Sequence, residues 1–238
     1  MNVVDALAAD AGTLCVVGAG GKKTTLYALA NRLERAVVTA TVRIPIFDQH
    51  VETVHVTADP VTALEDASYP LGLVPGQEGE NRYRGYERAT VDALAAIHDG
   101  PVLVKADGAR MREFKAPDDR EPQLPSTTDV VVPIASTHAV GRRLTDQVVH
   151  RPERVAALTD LAVGDRITPD AVARVLSSQT GGLKGVPEGA TVIPLLNKVD
   201  DADDERIARE IAATIHERAD VPRVVLARMA DATVVDVV

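Results

Sequence analysis

Apolar residues in this chain occur as short continuous runs, separated by segments whose apolar positions recur with a helical period. The first run, Leu14 to Val17, leads into glycines, and Thr24 to Glu34 then has apolar side chains on one helical face. Ala36 to Ala40 is the next apolar, β-branched run. A strand, a glycine turn, a helix and a second strand form one βαβ unit, which predicts parallel strands joined by a right-handed crossover.

The same alternation continues to the end of the chain. Further strands are predicted at 51–56, 71–74, 102–106, 130–134, 192–196 and 223–227, and helices at 60–67, 87–98, 168–177 and 204–218. Residues 75–81 and 108–128 are expected to be loops, since they lack periodicity and the second holds three prolines. The pattern predicts an α/β fold with a doubly wound, mostly parallel sheet as a single domain over 1–238, in which 141–187 could form a helical subdomain.

Composition narrows the classes of partner. The chain has 26 Lys and Arg against 35 Asp and Glu, a formal net charge of −9, which argues against nucleic acid as the main partner. Aromatic residues make up only 3%, so platforms that stack single-stranded bases are also disfavoured. A surface rich in Asp and poor in Lys is typical of proteins in a high-salt cytoplasm, which makes a halophilic source a hypothesis.

The single cysteine and the first residues of the chain indicate the cellular compartment. Cys15 lies in an apolar run, which predicts a buried structural thiol and excludes a disulfide framework. No stretch approaches about 18 continuous apolar residues, the length that would span a membrane. The first residues carry Asp5 and Asp10 without a basic segment, unlike a signal peptide, so we expect a cytoplasmic protein with no membrane partner.

The most informative segment is the glycine-rich loop between the first strand and its helix. It comprises Gly18, Ala19, Gly20, Gly21, Lys22, Lys23, Thr24 and Thr25. Glycines there let backbone N–H groups converge on an anion at a helix N-terminus, a lysine reaches the phosphates, and a hydroxyl can hold Mg²⁺. We therefore expect a nucleotide-binding loop in which Lys22 is catalytic and Thr24 is a metal ligand.

The loop departs from the standard G-x-x-x-x-G-K-[ST] pattern. Gly21 and Lys22 fit, but Val16 holds the first glycine position and Lys23 the hydroxyl position. A dinucleotide G-x-G-x-x-G loop is the alternative, although Lys23 occupies its third glycine and no acid follows Ala40 to hold a ribose. An ordinary glycine turn is disfavoured, because two lysines at a helix N-terminus repel each other unless an anion is near.

Two later segments support a nucleotide. Asp107 directly follows the apolar strand 102–106, where P-loop proteins place a Mg²⁺-binding carboxylate. We therefore expect Asp107 to be a catalytic residue and a metal ligand, although a cap of the following turn explains it equally well. Asn197, Lys198 and Asp200 form N-K-x-D after a late strand, a pattern with which GTPases bind guanine. Thr39 and Thr41 could approach the metal or be ordinary strand residues.

These segments together resemble the YqeC family, which is associated with selenium-cofactor biosynthesis and with accessory proteins of selenium-dependent molybdenum hydroxylases. The matching stretches are VGAGGKKTTLYALA (17–30), VVTATVRIP (37–45), VLVKADGARMREFKAP (102–117), EPQLPSTTDVVV (121–132), HRPE (150–153), GGLKGVP (181–187) and LLNKVD (195–200). The resemblance implies a P-loop NTPase-like fold and a role in maturing a molybdenum hydroxylase. Lys23 and Lys105 depart from the family pattern, which usually has Thr and Glu there.

The functional expectation is a protein that uses GTP or ATP with Mg²⁺ in maturing the hydroxylase or its cofactor precursor. Arg110, Arg112 and Lys115 form a local basic cluster suited to a phosphate-bearing or oxyanion substrate, or to neutralising nearby acids. A nucleotide-gated chaperone or delivery module, with loop 108–128 as its switch, is one alternative. A kinase or nucleotidyltransferase acting on a cofactor precursor is another.

Overall fold

The computed structural model describes residues 1–65 and 67–238, and it shows an α/β architecture. The strands are β1 Thr13–Gly18, β2 Val37–Ala40, β3 Ile44–Pro45, β4 Thr53–Val56, β5 Leu71–Val74, β6 Gln77–Glu78, β7 Arg82–Tyr83, β8 Val102–Lys105, β9 Phe114–Lys115, β10 Thr128–Ser136, β11 Val149–His150, β12 Thr191–Val192, β13 Leu195–Asn197, β14 Val225–Arg228 and β15 Thr233–Val237. The helices are α1 Val3–Leu7, α2 Lys22–Ala30, α3 Arg88–Ala95, α4 Pro152–Leu158, α5 Pro169–Leu176 and α6 Ala202–Arg218.

The main sheet has the strand order β15-β14-β13-β10-β1-β8-β2-β5-β4, with β12 beside β10. Its strands are parallel except β15, which runs antiparallel to β14 at one edge. Two small sheets, β3-β7-β6 and β11-β9, lie outside it. The prediction of a mostly parallel, doubly wound sheet is therefore confirmed.

Helices cover both faces of this sheet because successive strand side chains point to opposite sides. On one face Leu14 and Val16 pack with Leu26 of α2. On the other, Cys15 and Val17 pack with side chains of α3. Helices α5 and α6 cover the same sheet further along, over Ala135 and Leu196. Cys15 is buried, as predicted, and burial raises the pKa of its thiol to about 12.

The predicted strands and helices agree best with the observed ones where the sequence has a continuous apolar run. The strand predicted at 192–196 is divided into β12 and β13 around Pro194, which has no N–H to donate to a neighbouring strand. The expected loops at 75–81 and 108–128 contain the short strands β6 and β9. A short 3₁₀ turn, Thr62–Leu64, lies within the helix predicted at 60–67, of which residue 66 is outside the described residues.

Thr168 caps α5 as predicted, since its hydroxyl accepts from the Ala171 N–H. The segment 141–187 contains α4 and α5, and α5 packs on α6. A separate helical subdomain there stays a prediction. Among the residues described, no helix combines the length and apolar character needed to cross a bilayer.

Candidate functional site

The candidate site lies at the carboxyl edge of the main sheet, where β1 and β8 end side by side. Both strands run parallel, with Val16 opposite Lys105, so the loop after β1 and Asp107 after β8 meet at this edge. The Gly18 N–H donates to Asp107 Oδ2 at 2.8 Å. This hydrogen bond joins the glycine loop directly to the carboxylate.

Lys22 occupies the centre of this site. It is the first residue of α2, its side chain is 5% exposed, and its ammonium lies 2.7 Å from Asp107 Oδ1. The same ammonium contacts the Gly18 carbonyl oxygen. The Lys22 ammonium is therefore shared between the Asp107 carboxylate and the Gly18 carbonyl, and all of these groups lie at the carboxyl edge of the sheet.

Two further lysines surround the same carboxylate. The Lys115 ammonium lies 2.9 Å from Asp107 Oδ2 and donates to the Gly108 carbonyl. Lys105 donates to the backbone oxygens of Arg43 and Asp107, at 2.7 and 2.8 Å, rather than to the carboxylate. We call Lys22, Lys105, Asp107 and Lys115 the Asp107 cluster; all four are buried.

The charges in the Asp107 cluster shift the pKa values of its members. Burial raises the pKa of Asp107, but Lys22 and Lys115 outweigh it and bring that pKa to about 2. Burial lowers the pKa of Lys22, and Asp107 opposes the change. Burial, aided by the Lys22 charge, lowers the pKa of Lys105 to about 7. Asp107 is therefore ionised at neutral pH, whereas Lys105 is present there in both its protonated and its neutral form.

The N-terminal end of α2, around Lys22, has no capping side chain. Gly21 precedes this helix at φ 141°. Within the described part of the chain, the amides of residues 20 to 24 have no hydrogen-bond partner. Uncapped amides at a helix N-terminus attract anions. Thr24 is exposed on this turn and Lys23 half-buried, whereas the buried Thr25 hydroxyl donates to the Gly21 carbonyl.

The loop is also fixed by its packing against other elements. The Ala19 N–H donates to the Ile134 carbonyl at 2.9 Å, and a Cβ on Gly18 would collide with that same carbonyl. A Cβ on Gly21 would collide with the Asn197 amide. The glycines are thus required by close packing whether or not a ligand binds, and their presence alone does not identify the ligand.

The N-K-x-D side chains are engaged within the protein. The Asn197 amide donates to the Gly20 carbonyl at 2.7 Å and its oxygen accepts from the Met229 N–H at 2.9 Å. Lys198 pairs with Glu113 at 2.7 Å. Asp200 lies 3.1 Å from His138. Asn197 therefore supports the glycine loop, and the guanine-binding role of the three residues stays a prediction.

The basic cluster predicted after β8 is divided in the structure. Lys115 is buried within the Asp107 cluster, whereas Arg110 is exposed and Arg112 half-buried. Arg151, from the turn before α4, joins Lys115 through Glu121, which accepts from both. Arg151 and Glu121 lie 30 residues apart, so local patterns do not show this contact. The Thr39 hydroxyl, in β2, and the Thr41 hydroxyl, just after it, donate to the Leu73 and Gln123 carbonyls.

The arrangement does not fit a magnesium ion bound directly by Asp107. Its oxygens contact two ammonium groups and a backbone N–H, and those ammonium groups repel a divalent cation. Among the described residues, one other group could hold a metal: His138, Asp200 and Asp204, whose ligand atoms lie within 4.8 Å of one another. This group was not visible in the sequence, because His138 and Asp200 come from different elements.

Comparison with known proteins identifies the family. A family model described as YqeC protein matches residues 14–153, more than half of the chain. The "Uncharacterized protein YqeC" of Escherichia coli strain K12 is 24% identical over 211 residues, which cover 86% of this chain and 82% of that protein. The matched region contains the glycine loop, Asp107, Lys115 and Arg151. The chain therefore belongs to the YqeC family.

Proposed function

We propose that this protein binds a nucleoside triphosphate, GTP or ATP, on the loop from Gly18 to Thr25, with Lys22 contacting the phosphates. The observation that supports this most is the position of Lys22, a buried ammonium at an uncapped helix N-terminus beside free backbone amides. A phosphate chain there would accept from those amides and benefit from the helix dipole.

Binding would require Lys22 to exchange partners. Its ammonium contacts Asp107 and the Gly18 carbonyl, so phosphate oxygens would have to replace Asp107 in contact with it. Asp107 would keep Lys115 and the Gly18 N–H as partners. A magnesium ion would arrive with the phosphates, on the side of the exposed Thr24, because Asp107 is already neutralised.

We further propose that nucleotide binding serves the maturation of a molybdenum hydroxylase or of its selenium cofactor. This role follows from the resemblance of the motifs to the YqeC family, and its partner would be the hydroxylase or a cofactor precursor. In the enzymatic form of the proposal, Lys22 stabilises charge that develops on the transferred phosphate.

A nucleotide-gated module without turnover is the second candidate, and one observation favours it. Loop 108–128 is attached to the Asp107 cluster through Lys115 and Glu121. A nucleotide that changed the partners of Lys22 would also change the charge balance holding this loop, and could thereby alter its affinity for a partner protein.

A thermal-shift panel with GTP, ATP, CTP and NAD, each with and without Mg²⁺, tests the proposal. A ligand that binds only the folded state raises the midpoint. We expect GTP or ATP to do so for the native protein and for Arg32→Gln, which removes an exposed charge from the C-terminal side of α2, but not for Lys22→Gln. If no nucleotide raises the native midpoint, the proposal is wrong.

Phosphate release then separates the two candidates. Binding with turnover indicates a triphosphatase, and binding without turnover, with or without a client hydroxylase, indicates the gated module. A preference for GTP that Asp200→Asn abolishes would support guanine recognition by the N-K-x-D segment. An unchanged preference would contradict it.

A further inference from the structure

Glu121 is held by three donors, two from its own loop 108–128 and one from the turn before α4. Its Oε1 accepts from the Gly108 N–H at 3.0 Å, and its Oε2 accepts from Lys115 at 2.7 Å and from Arg151 Nη1 at 2.6 Å. Burial raises the pKa of Glu121, but the Lys115 charge and hydrogen bond outweigh it and lower that pKa overall. A carboxylate thus occupies a nest of one amide, one ammonium and one guanidinium.

Such a donor set is the one that proteins use to bind oxyanions. A backbone amide, a lysine and an arginine provide short charge-assisted hydrogen bonds to phosphate-type oxygens as well as to carboxylates. We propose that Gly108 N–H, Lys115 and Arg151 form a binding site for a tetrahedral oxyanion, the Lys115–Arg151 site, in which the Glu121 carboxylate substitutes for the ligand. This site exists whether or not the glycine loop binds a nucleotide.

A second observation places unfilled space beside this site. A cavity of about 20 Å³, the size of one water molecule, is lined by Gly18, Asp107, Lys115, Pro117 and Pro122, among others. Movement of Glu121, which precedes Pro122, would enlarge this cavity next to Lys115.

Each cation of the Lys115–Arg151 site has a second acid besides Glu121. Lys115 already has Asp107 as a counter-ion, and Arg151 already has Asp118 at 2.7 Å through its other nitrogen. His150, the register partner of Lys115, has its pKa lowered to about 4 by burial and by the charges of Arg151, Lys115 and Arg110. Release of Glu121 would therefore leave each cation with one acid, and it would free the Gly108 N–H, Lys115 and Arg151 donors for the ligand.

Phosphate titration of Glu121→Gln tests the proposal. Glutamine keeps the shape and an accepting oxygen but loses the charge that competes with the ligand. With inorganic phosphate as the probe, at constant ionic strength, we expect calorimetric affinity to rise by about tenfold or more over the native protein. Asp119→Asn is the matched control, because Asp119 lies in the same loop and its one ion-pair partner among the described residues is Arg154, at the surface.

Three outcomes would overturn the proposal. Glu121→Gln could show no gain over the native protein, or Asp119→Asn could show an equal gain, which would indicate a general charge effect. The gain could also disappear with Lys22→Gln added, which would place the phosphate at the glycine loop instead. We expect the gain in phosphate affinity of Glu121→Gln to disappear when Arg151→Gln is added, and to remain when Lys22→Gln is added.

The native background provides an independent measurement if Glu121→Gln does not fold. Arg151→Gln in the native protein should weaken phosphate binding several-fold. An unchanged affinity would contradict the Lys115–Arg151 site. If no nucleotide raised the midpoint in the thermal-shift panel, the phosphate affinities would not be affected. The two proposals can therefore fail separately.

Discussion

Asp107 provides the anion that the two adjacent lysines require. The sequence argument that Lys22 and Lys23 need a bound anion at the helix N-terminus is met within the protein, since Asp107 lies 2.7 Å from Lys22. The repulsion between these lysines therefore no longer argues for an external ligand. What still favours one is the group of amides that remain without partners.

Asp107→Asn should strongly destabilise the fold. The substitution keeps the shape of the side chain but leaves the buried Lys22 and Lys115 without their shared counter-ion, at a cost of about 3–5 kcal/mol in the free energy of unfolding. Urea unfolding measures this cost. Asp119→Asn, which removes an exposed member of a surface pair, should leave the midpoint near that of the native protein. Equal midpoints for the two variants would contradict the importance assigned to the Asp107 cluster.

Lys105 should make stability depend on pH. Its pKa is lowered from 10.5 in the unfolded chain to about 7 in the fold, so between those values the unfolded state binds a proton that the folded state lacks. Lys105 therefore contributes a rise in the free energy of unfolding as the pH increases through this window, by up to about 1.4 kcal/mol per pH unit. Below the window its contribution does not change with pH.

Urea midpoints of the native protein and of Lys105→Met, compared from about pH 6 to 9, check this dependence. The native protein should gain stability relative to Lys105→Met above neutral pH. Lys184→Met removes another lysine that donates to a backbone carbonyl and should leave the slope in place. A slope shared by Lys105→Met and the native protein would show that other groups cause it.

At the scale of elements, the site depends on the way three strand ends are connected. Gly18 ends β1, Asp107 follows β8, and Asn197 ends β13. Asn197 joins the glycine loop to the turn after β14 through its bonds to Gly20 and Met229. The N-K-x-D segment therefore has a structural role that its sequence pattern did not indicate.

Asn197→Ala should cost about 1–3 kcal/mol of stability, because it leaves a buried carbonyl and a buried N–H without partners. It should also increase amide hydrogen exchange in the glycine loop, which reports local opening. Asn31→Ala is the matched control, since Asn31 makes two backbone hydrogen bonds but is exposed, and it should cost much less. Unchanged exchange in Asn197→Ala would show that the loop is held by its other contacts alone.

For the whole molecule, the sequence predicted the sheet better than the site. Continuous apolar runs such as Leu14 to Val17 identify buried parallel strands without reference to partners. The edge strand β15 and the short helix α1 were missed; β15 is only half-buried and pairs through its backbone with β14. The meeting of Lys22 with Asp107 follows from parallel strand ends, whereas the Glu121–Arg151 contact depends on loop paths that no local pattern encodes.

The acidic surface should make stability depend on salt. At a net charge of −9, self-repulsion weakens the fold at low ionic strength, and salt screens it over a Debye length of about 10 Å at 0.1 M. We expect the melting temperature to rise with added KCl, and the rise to be smaller when Glu210→Gln and Glu217→Gln remove two exposed charges from α6. A melting temperature that falls with salt would contradict the halophilic hypothesis.

The Lys115 ammonium, which has three hydrogens, lies within 2.9 Å of three acceptors: Asp107, Glu121 and the Gly108 carbonyl. The nitrogen is saturated, so a fourth acceptor can enter only when one of these leaves. A ligand that binds near Asp107 and a ligand that binds near Glu121 would consequently compete for the same Lys115 hydrogens. Binding at either position should therefore change the affinity at the other position, and by thermodynamic linkage the factor is the same in both directions.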